Sequence, residues 1–330
     1  MIPHAYCTFF DVGYLSRGIA MIKSLREQGD DATVYLLALD SDTQNYLTEH
    51  PLENVQILNI ENIESFCPEL LAIKNDRTRM EYYFTTTPQL FKYIFKVENM
   101  PGQVVTYLDA DLFFFSSPSA IEKSLGEKSV GISEHRYSPR FESKLSKYGR
   151  FNAGFVTFRN DDKGNAVLDW WANRALEWCT DIPTDGKYAN QGYLNSFPDF
   201  PGVQILGNAG INLAPWNTSS HKIEAGNFGR TFADGDELVF FHFHGVRKVQ
   251  NWFVTSQLIY GSPLTAPLRN NVYTPYVRML QEVEKELLIN QAPIPRIKKR
   301  GNGLHGVLAR GWKFSMDRLS ILTRNAIKAS

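Results

Sequence analysis

Short apolar runs of strand length alternate with amphipathic segments through the first two hundred residues. The opening run, HAYCTFF, is followed by an amphipathic helix pattern that ends at Gly29. The apolar residues of that pattern share one helical face: Leu15, Ile19, Ile22 and Leu25. The next run, ATVYLLALD, is apolar almost throughout, which is typical of a strand buried on both faces. This alternation predicts an α/β sheet connected by crossover helices.

Further elements are predicted up to about residue 290. Further strands are predicted at VQILNI, QVVTYLDADLFFF, SVGISEH, NAGFVTFRN and ELVFFHFHG, and further helices at about 77–96, AVLDWWANRALEW and about 276–289. Residues 180–230 are rich in Gly, Pro and Asn, which predicts loops laid over a site. The proline-containing PIPR then marks a boundary, so we predict one domain over residues 1–290 and a tail over residues 291–330.

Composition adds a limit on partners. The chain has 330 residues, 43% of them hydrophobic and 13% aromatic, which is enough for a large core. Its 35 basic and 35 acidic side chains cancel, so the overall charge gives no indication of nucleic acid binding. Residues 293–330 nevertheless hold nine Lys or Arg and one acid, a charge of +8, so residues 1–292 carry −8.

Three cysteines, Cys7, Cys67 and Cys179, are widely spaced and form no CxxC pair. Neither a disulfide framework nor a zinc site is therefore predicted. The first thirty residues contain no apolar stretch of signal-peptide length. We expect a cytoplasmic protein, with any membrane contact peripheral and at the inner face of the membrane.

Two carboxylates, Asp109 and Asp111, follow the apolar run VVTYL. Ligands of open α/β sheets bind at the carboxyl ends of the strands, where this run delivers both acids. There they can hold Mg²⁺ or Mn²⁺ and leave positions open for substrate phosphates. The alternative is that the pair only ends a strand and caps a turn.

The segment YLDADLFFFSSP resembles the Asp-x-Asp strand of retaining GT-A glycosyltransferases, particularly family 8, with bacterial lipopolysaccharide galactosyltransferases and glycogenin. FNAGFVTFRND (151–161) and HFHGVRK (242–248) resemble the two blocks that follow in that family, in the same order. The resemblance implies a GT-A fold with a mostly parallel central sheet. It also implies transfer of a sugar, with retention, from a nucleoside diphosphate sugar, commonly a UDP-sugar, to an acceptor hydroxyl of a surface glycan or lipid-linked saccharide.

Carried over by position, the resemblance makes Asp109, Asp111 and His242 the metal ligands. It also places Asp109 near the ribose and makes Lys248 the residue that holds the diphosphate. In a regular strand His244 would point to the same face as His242, so either imidazole could be the ligand. The spacing to Gly245 and Lys248 favours His242.

The same resemblance places Asn152 and Gly154 in the donor sugar pocket. Asn190 and Gln191 stand where the family carries an acidic residue followed by Gln or Asp near the anomeric carbon. Because Asn190 is not ionisable, a double displacement through a carboxylate at that position is not favoured. Further predicted nucleotide contacts are Thr8, Phe9, Asp11, Arg79 and Gly245. Secondary candidates for the sugar pocket are Glu134, His135, Arg136, Asn212, Trp216 and Asn217.

Two other functions are compatible with parts of the sequence. A sugar-phosphate nucleotidyltransferase should carry a Gly-rich phosphate loop after its first strand, but TFFDVGYLSRG has only isolated glycines. A non-catalytic carbohydrate-binding relative that keeps the pocket is left open by Asn190.

The tail has the pattern of a helix lying in a lipid interface. On a helical wheel its apolar residues gather on one side: Leu304, Leu308, Trp312, Met316, Leu319, Leu322 and Ala326. Its basic residues gather on the other: Arg310, Lys313, Arg324 and Lys328. This pattern favours binding to an anionic membrane surface that carries the acceptor. The alternative is a tail packed on the acidic body.

Overall fold

The structure is a computed structural model and describes residues 4–184, 186–294 and 304–329. These residues form fifteen strands. In chain order they are β1 (His4–Phe10), β2 (Thr33–Ala38), β3 (Val55–Asn59), β4 (Val104–Leu108), β5 (Leu112–Phe114), β6 (Val130–Glu134), β7 (Phe151–Arg159), β8 (Val203–Ile205), β9 (Ile223–Ala225), β10 (Thr231–Ala233), β11 (Asp236–Glu237), β12 (Phe240–His242), β13 (Arg247–Val249), β14 (Trp252–Val254) and β15 (Ala326–Lys328).

The helices of the described residues are mostly crossover connections. They are α1 (Leu15–Glu27), α2 (Ser41–Glu49), α3 (Ile60–Phe66), α4 (Pro68–Ala72), α5 (Arg79–Glu98), α6 (Ser119–Leu125), α7 (Ser143–Tyr148), α8 (Asp162–Glu177), α9 (Thr274–Ile289) and α10 (Leu304–Leu322). None of these helices combines the length and the apolar character that crossing a membrane requires.

The central sheet has seven strands in the order β3-β2-β1-β4-β7-β6-β8. β1 pairs in parallel with β2 and β4, β2 with β3, and β6 with β8, whereas β7 is antiparallel to both of its neighbours. The predicted mostly parallel sheet is confirmed. Smaller sheets join β5 with β12, β9 with β10 and β11, and β13 with β14 and β15.

Two hydrophobic cores enclose the sheet because alternate strand residues point to opposite faces. In β1, Tyr6 and Phe10 belong to the core that α1, α2 and α9 cover. Ala5 and Cys7 belong to the core under α3, α5 and α8. The cavity described below opens where the carboxyl ends of β1 and β4 meet β7.

One predicted strand, QVVTYLDADLFFF, is in fact two. β4 stays in the central sheet, while β5 leaves it and pairs antiparallel with β12. The break falls at Asp109–Asp111, where the Leu112 N–H donates to the Asp109 carbonyl (3.2 Å) instead of continuing a ladder. The change of sheet turns both carboxylates out of the strand and toward the cavity.

The tail contains a helix and a strand. The wheel pattern extends the helix through Ala326, and that prediction is wrong past Leu322, because Ala326 and Ile327 are buried in β15, which pairs with β14. The predicted tail residues 295–303, together with the side chains of Leu304, Leu308 and Arg310, lie outside the described residues. The division of the chain at residue 290 stays a prediction.

Candidate metal centre and sugar-nucleotide pocket

Asp109 and Asp111 enter a cavity of about 790 Å³ at the carboxyl end of β4. The Asp109 N–H donates to the Gly154 carbonyl of β7 (2.9 Å), which fixes the turn against the neighbouring strand. The Phe243 N–H donates to the Asp111 carbonyl (2.8 Å), and β12 brings His242 opposite Leu112 of β5. Strand pairing thus joins three residues that the sequence separates by about 130 positions.

The His242 imidazole lies close to both carboxylates. His242 Nε2 lies 3.1 Å from Asp111 Oδ1 and 3.7 Å from Asp109 Oδ2. Asp111, His242 and His244 each offer a ligand atom, and these atoms lie within 4.8 Å of one another. Carboxylate oxygens with imidazole nitrogens fit Mn²⁺ better than Mg²⁺, which prefers an all-oxygen shell.

Burial and mutual charge set the pKa values here. Burial raises the pKa of Asp109, and the nearby His242 offsets this only in part. Burial would also raise the pKa of Asp111, but the charge and hydrogen bond of His242 outweigh it and lower the pKa to about 2. Burial would lower the pKa of His242, but Asp111 and Asp109 outweigh it and raise the pKa. The centre therefore stabilises positive charge.

Gly154 forms the wall behind this centre. A Cβ at position 154 would lie 2.3 Å from Asp109 Oδ2 and 2.8 Å from His242 Cε1. Both distances are far below van der Waals contact, so the predicted ligands keep their arrangement only because this residue has no side chain. A glycine is required here for space, as its φ is negative.

Amide groups occupy the cavity next to the centre. Gln191 opens a 3₁₀ segment, and its Oε1 accepts from Asn152 Nδ2 (3.2 Å) and from the Ala153 N–H (3.1 Å). Its Nε2 donates to the Tyr148 carbonyl (2.8 Å). Asn190 is buried in the lining, and its carbonyl accepts from Trp171 Nε1 (2.9 Å). The structure therefore brings together the predicted Asn152, Asn190 and Gln191.

Phe9, Asp11 and Arg79 line the predicted nucleotide end of the same cavity. The Phe9 ring lies 5.4 Å from that of Tyr107, whose hydroxyl donates to Asp109 Oδ1 (2.8 Å). Arg79 begins α5 and forms ion pairs with Asp11 (3.3 Å) and with Asp40. Thr8 is buried in β1 and does not line the cavity.

No known protein-family profile matches the chain. It is 33% identical over 252 residues to the uncharacterized protein YfnF of Bacillus subtilis, covering 74% of this chain and 82% of YfnF. It is 34% identical over 248 residues to the uncharacterized protein YfnD of the same bacterium, covering 74% of this chain and 78% of YfnD. The chain belongs to the YfnF and YfnD family. Because both relatives are uncharacterized, membership assigns no activity.

Solved structures establish the fold of this YfnF-family chain. The galactosyltransferase LgtC, in complex with donor and acceptor sugar analogs, superposes with a TM-score of 0.52 at 15% identity, over 87% of this chain and 99% of LgtC. The bifunctional glycosyltransferase WbbM gives 0.50 at 14% identity, over 86% of this chain and 51% of WbbM. The predicted GT-A fold is confirmed, whereas assignment to family 8 stays a prediction.

Two predicted residues of the late block lie outside the lining. Gly245 forms a turn with φ of +74°, and Lys248 on β13 bonds Glu284 Oε2 at 2.5 Å. Within the described residues, the Lys and Arg side chains that do line the cavity are Arg79 and Lys144. The holding of a diphosphate by Lys248 stays a prediction.

The secondary candidates divide into two groups. His135 and Trp216 line the cavity, and the Trp216 ring lies 5.0 Å from His242 and 5.6 Å from His244. The others support the walls of the cavity. Asn212 donates to Asn152 Oδ1 and Ser133 Oγ, and Asn217 donates to the His135 carbonyl. Arg136 donates to the backbone carbonyls of residues 208, 211 and 212, and Glu134 pairs with Arg150.

Sequence reasoning missed Lys144 and the tyrosines of the lining. Tyr137, Tyr148, Tyr188 and Tyr260 come from separate segments, and no local motif marks any of them. The one available signal is that three of them flank residues already singled out, since Tyr137 follows Arg136, Tyr148 precedes FNAG and Tyr188 precedes Asn190.

Proposed function

We propose that the protein is a metal-dependent glycosyltransferase that moves a sugar from a nucleoside diphosphate sugar to an acceptor hydroxyl. The observation that carries this proposal is the grouping of Asp111, His242 and His244, with Asp109 3.7 Å from His242, inside a cavity of about 790 Å³. The GT-A fold, shared with LgtC and WbbM, places that grouping at the carboxyl end of the sheet.

Asp111 and His242 would hold the cation, with His244 and Asp109 completing the protein ligands. Mn²⁺ is the metal we propose because the set mixes carboxylate and imidazole. The bound ion would supply positive charge for the diphosphate as it leaves. Tyr107 and Gly154 keep the Asp109 carboxylate in place, the first by a hydrogen bond and the second by leaving room.

We propose a UDP-sugar as donor. The aromatic wall of Phe9, Tyr83 and Tyr107 offers a base a stacking surface, and Asp11 lies beside it. The Arg79 guanidinium, held by Asp11 and Asp40, is the cation available to a phosphate at this end. Uridine is the base most often used by the family that the sequence resembles.

We propose that transfer retains the anomeric configuration. The amides of Asn152 and Gln191 would orient the donor sugar, and Asn190 supplies no carboxylate that could form a covalent intermediate. The acceptor oxygen would bond to the anomeric carbon on the face from which the diphosphate departs. The bond from that carbon to the diphosphate breaks, and the acceptor proton passes to the departing phosphate oxygen.

A thermal-shift panel tests the donor and the metal together. Nucleoside diphosphates and their sugars would be added with Mn²⁺ or with EDTA, because a ligand at 100 Kd stabilises by about 2.7 kcal/mol. A UDP-sugar should raise the melting temperature only with Mn²⁺. The anomeric configuration of the sugar that is released first is then measured by NMR. If no nucleotide raised the melting temperature, the proposal would be wrong.

The tail supports a second part of the proposal, binding to an anionic membrane surface that carries a lipid-linked acceptor. In the part of α10 whose burial is described, residues 311–322, the buried side chains are polar: Asp317, which pairs with Arg247, and Ser320. The solvent side exposes Trp312 (71%) and Leu322 (80%). Exposed basic residues flank it: Lys313, Arg318 and Arg324. This arrangement suits a helix face laid on anionic lipid.

Co-sedimentation with phosphatidylglycerol vesicles tests that part. Exchange of Trp312, Leu319 and Leu322 for Ser should weaken binding roughly tenfold, since their apolar area would no longer enter the interface. The control exchanges three exposed apolar residues elsewhere for Ser: Leu71, Val97 and Ile182. A wild-type chain that stays in the supernatant at low salt would show that the tail is structural.

A further inference from the structure

Four tyrosines form one side of the cavity beyond the metal centre. This tyrosine wall consists of Tyr137, Tyr148, Tyr188 and Tyr260. The rings of Tyr148 and Tyr188 meet edge to face at 5.0 Å, and Tyr260 lies 6.3 Å from both Trp216 and His244. Among the described residues, none of the four hydroxyl groups has a hydrogen-bond partner. The wall therefore offers ring faces and free hydroxyls to a ligand, as a sugar site does.

Lys144 extends over this wall from α7. Its Nζ lies 5.5 Å from the Tyr148 ring centre, 5.8 Å from that of Tyr260 and 5.8 Å from that of Phe141. Lys144 lines the cavity, and no carboxylate of the described residues pairs with its amine. The faces of three rings favour the cation at this place, yet they leave its three donors available.

A second lysine lies beside Lys144. Lys147 Nζ lies 5.2 Å from the Tyr148 ring centre, whereas Lys187 extends over the Trp178 ring (5.7 Å), outside the cavity lining. Lys147 has no carboxylate partner within the described chain, whereas Arg150 nearby is paired with Glu134. Asp181 is an acid of this part of the lining, and it is not bonded to Lys144. An incoming ligand therefore meets unpaired positive charge.

We propose that the tyrosine wall and Lys144 form an acceptor subsite for a saccharide that bears an anionic group, a phosphate or a carboxylate. The inference rests on the proposed glycosyltransferase function. The sugar packs on the tyrosine rings, and its negative group pairs with the Lys144 amine, which as a compact point charge accepts either anion. A neutral acceptor of the same shape makes the ring contacts and lacks the ion pair.

Matched methyl glycosides test this assignment on the full chain with UDP and Mn²⁺. The probes are methyl glucoside, its uronate and its 6-phosphate, with the same three compounds in the galacto series, titrated by NMR saturation transfer. We expect at least one anion to bind roughly tenfold more tightly than its neutral parent. The uronate and phosphate arms identify which anion is preferred. Lys144→Met should abolish the preference and Lys144→Arg should keep it, while Lys123→Met, on the exposed side of α6, should change nothing.

The affinity for UDP with Mn²⁺ is measured in every variant. It should be unchanged, and a fall in Lys144→Met would assign the amine to the diphosphate and overturn the proposal. Equal binding of neutral and anionic probes, or binding of none, would also overturn it. Each titration is repeated without nucleotide. If UDP does not bind but the anionic preference persists and depends on Lys144, the donor proposal fails and the anion subsite stands.

Discussion

The metal centre and the tyrosine wall lie in one cavity and are built in different ways. Asp109, Asp111, Gly154 and His242 lie at or beside the ends of paired strands, where ladder hydrogen bonds fix the backbone. The tyrosines and Lys144 come from α7, from a 3₁₀ turn that ends at Tyr260, and from loops outside the central sheet. The centre has little freedom to change without disturbing the sheet. The wall can change residue by residue, so substrate choice is expected to reside there.

The two regions also differ in charge. The centre gathers two carboxylates, whose charge favours a cation, whereas the wall presents an unpaired Lys144, whose charge favours an anion. A ligand that places a bound metal against one region and a negative group against the other therefore has a fixed direction in the cavity. Substitutions that affect one region and spare the other can test this division.

Asp111→Asn should have the largest effect. Removing one carboxylate charge from the centre should lower transfer roughly a thousandfold, because several kcal/mol of charge stabilisation is lost and each 1.36 kcal/mol is tenfold in rate. Mn²⁺-dependent UDP binding, measured by calorimetry, should fall with it. Acceptor probes measured without nucleotide should bind as before.

The matched control is Asp31→Asn, which removes an exposed carboxylate before β2 and should change neither transfer nor UDP binding. Full wild-type activity in EDTA would contradict the metal dependence itself. Loss of acceptor binding in Asp111→Asn would show that the centre and the wall are one unit.

Gly154→Ala should rank second. The added methyl would lie 2.3 Å from Asp109 Oδ2 and 2.8 Å from His242 Cε1, so the two ligands must move apart. We expect roughly a hundredfold loss of Mn²⁺ affinity, as is typical when a residue that positions a metal ligand is changed. Overpacking should also lower the free energy of unfolding by about 1–3 kcal/mol. Gly207→Ala, where nothing lies within 4 Å, serves as control in the same denaturation and binding assays. Unchanged metal affinity would mean that Gly154 is not needed for the centre.

Gln191→Ala tests the junction between the two regions. The Gln191 side chain accepts hydrogen bonds from the Asn152 side chain and from the Ala153 N–H, and it donates one to the Tyr148 carbonyl. Its loss should lower kcat by about ten- to a hundredfold, because the donor sugar is no longer oriented, with UDP affinity unchanged. A fall in UDP affinity of the same size would place Gln191 at the nucleotide instead.

The proximity of the candidate metal ligands could be predicted in large part because it depends on local motifs. The run VVTYL followed by two acids, and the FNAG and HFHG blocks, mark strand ends that a sheet must bring to one edge. The position of the Lys248 side chain did not follow from the HFHG block. The spacing of residues does not reveal that β13 places this amine outside the cavity lining, where it bonds Glu284. The choice between His242 and His244 also remained open, and the structure offers both.

The fold was predictable where periodicity was strong and long. β1 coincides with HAYCTFF, and α9 (Thr274–Ile289) is close to the predicted helix. α2, a polar helix capped by Asp40, was missed because its hydrophobic periodicity is weak, and β8 was missed because it has only three half-buried residues at a sheet edge. The tyrosine wall could not be predicted, because its members meet only through tertiary packing.

Tyr188→Leu should have the smallest effect and tests the wall alone. The ring packs edge to face on Tyr148 at 5.0 Å and lines the cavity, so its loss removes a stacking surface and a hydroxyl donor while the strands stay in place. We expect about a fivefold weaker binding of the acceptor probes, since a single aromatic contact contributes about 1 kcal/mol. UDP affinity and metal dependence should not change, because Tyr188 makes no contact with Asp111 or His242 among the described contacts. Tyr93→Leu, which removes a half-buried ring that packs on Phe66 outside the cavity, controls for the loss of a tyrosine. If Tyr188→Leu weakened UDP and acceptor probes equally, the wall would belong to the donor site, and the division of the cavity into two regions would fail.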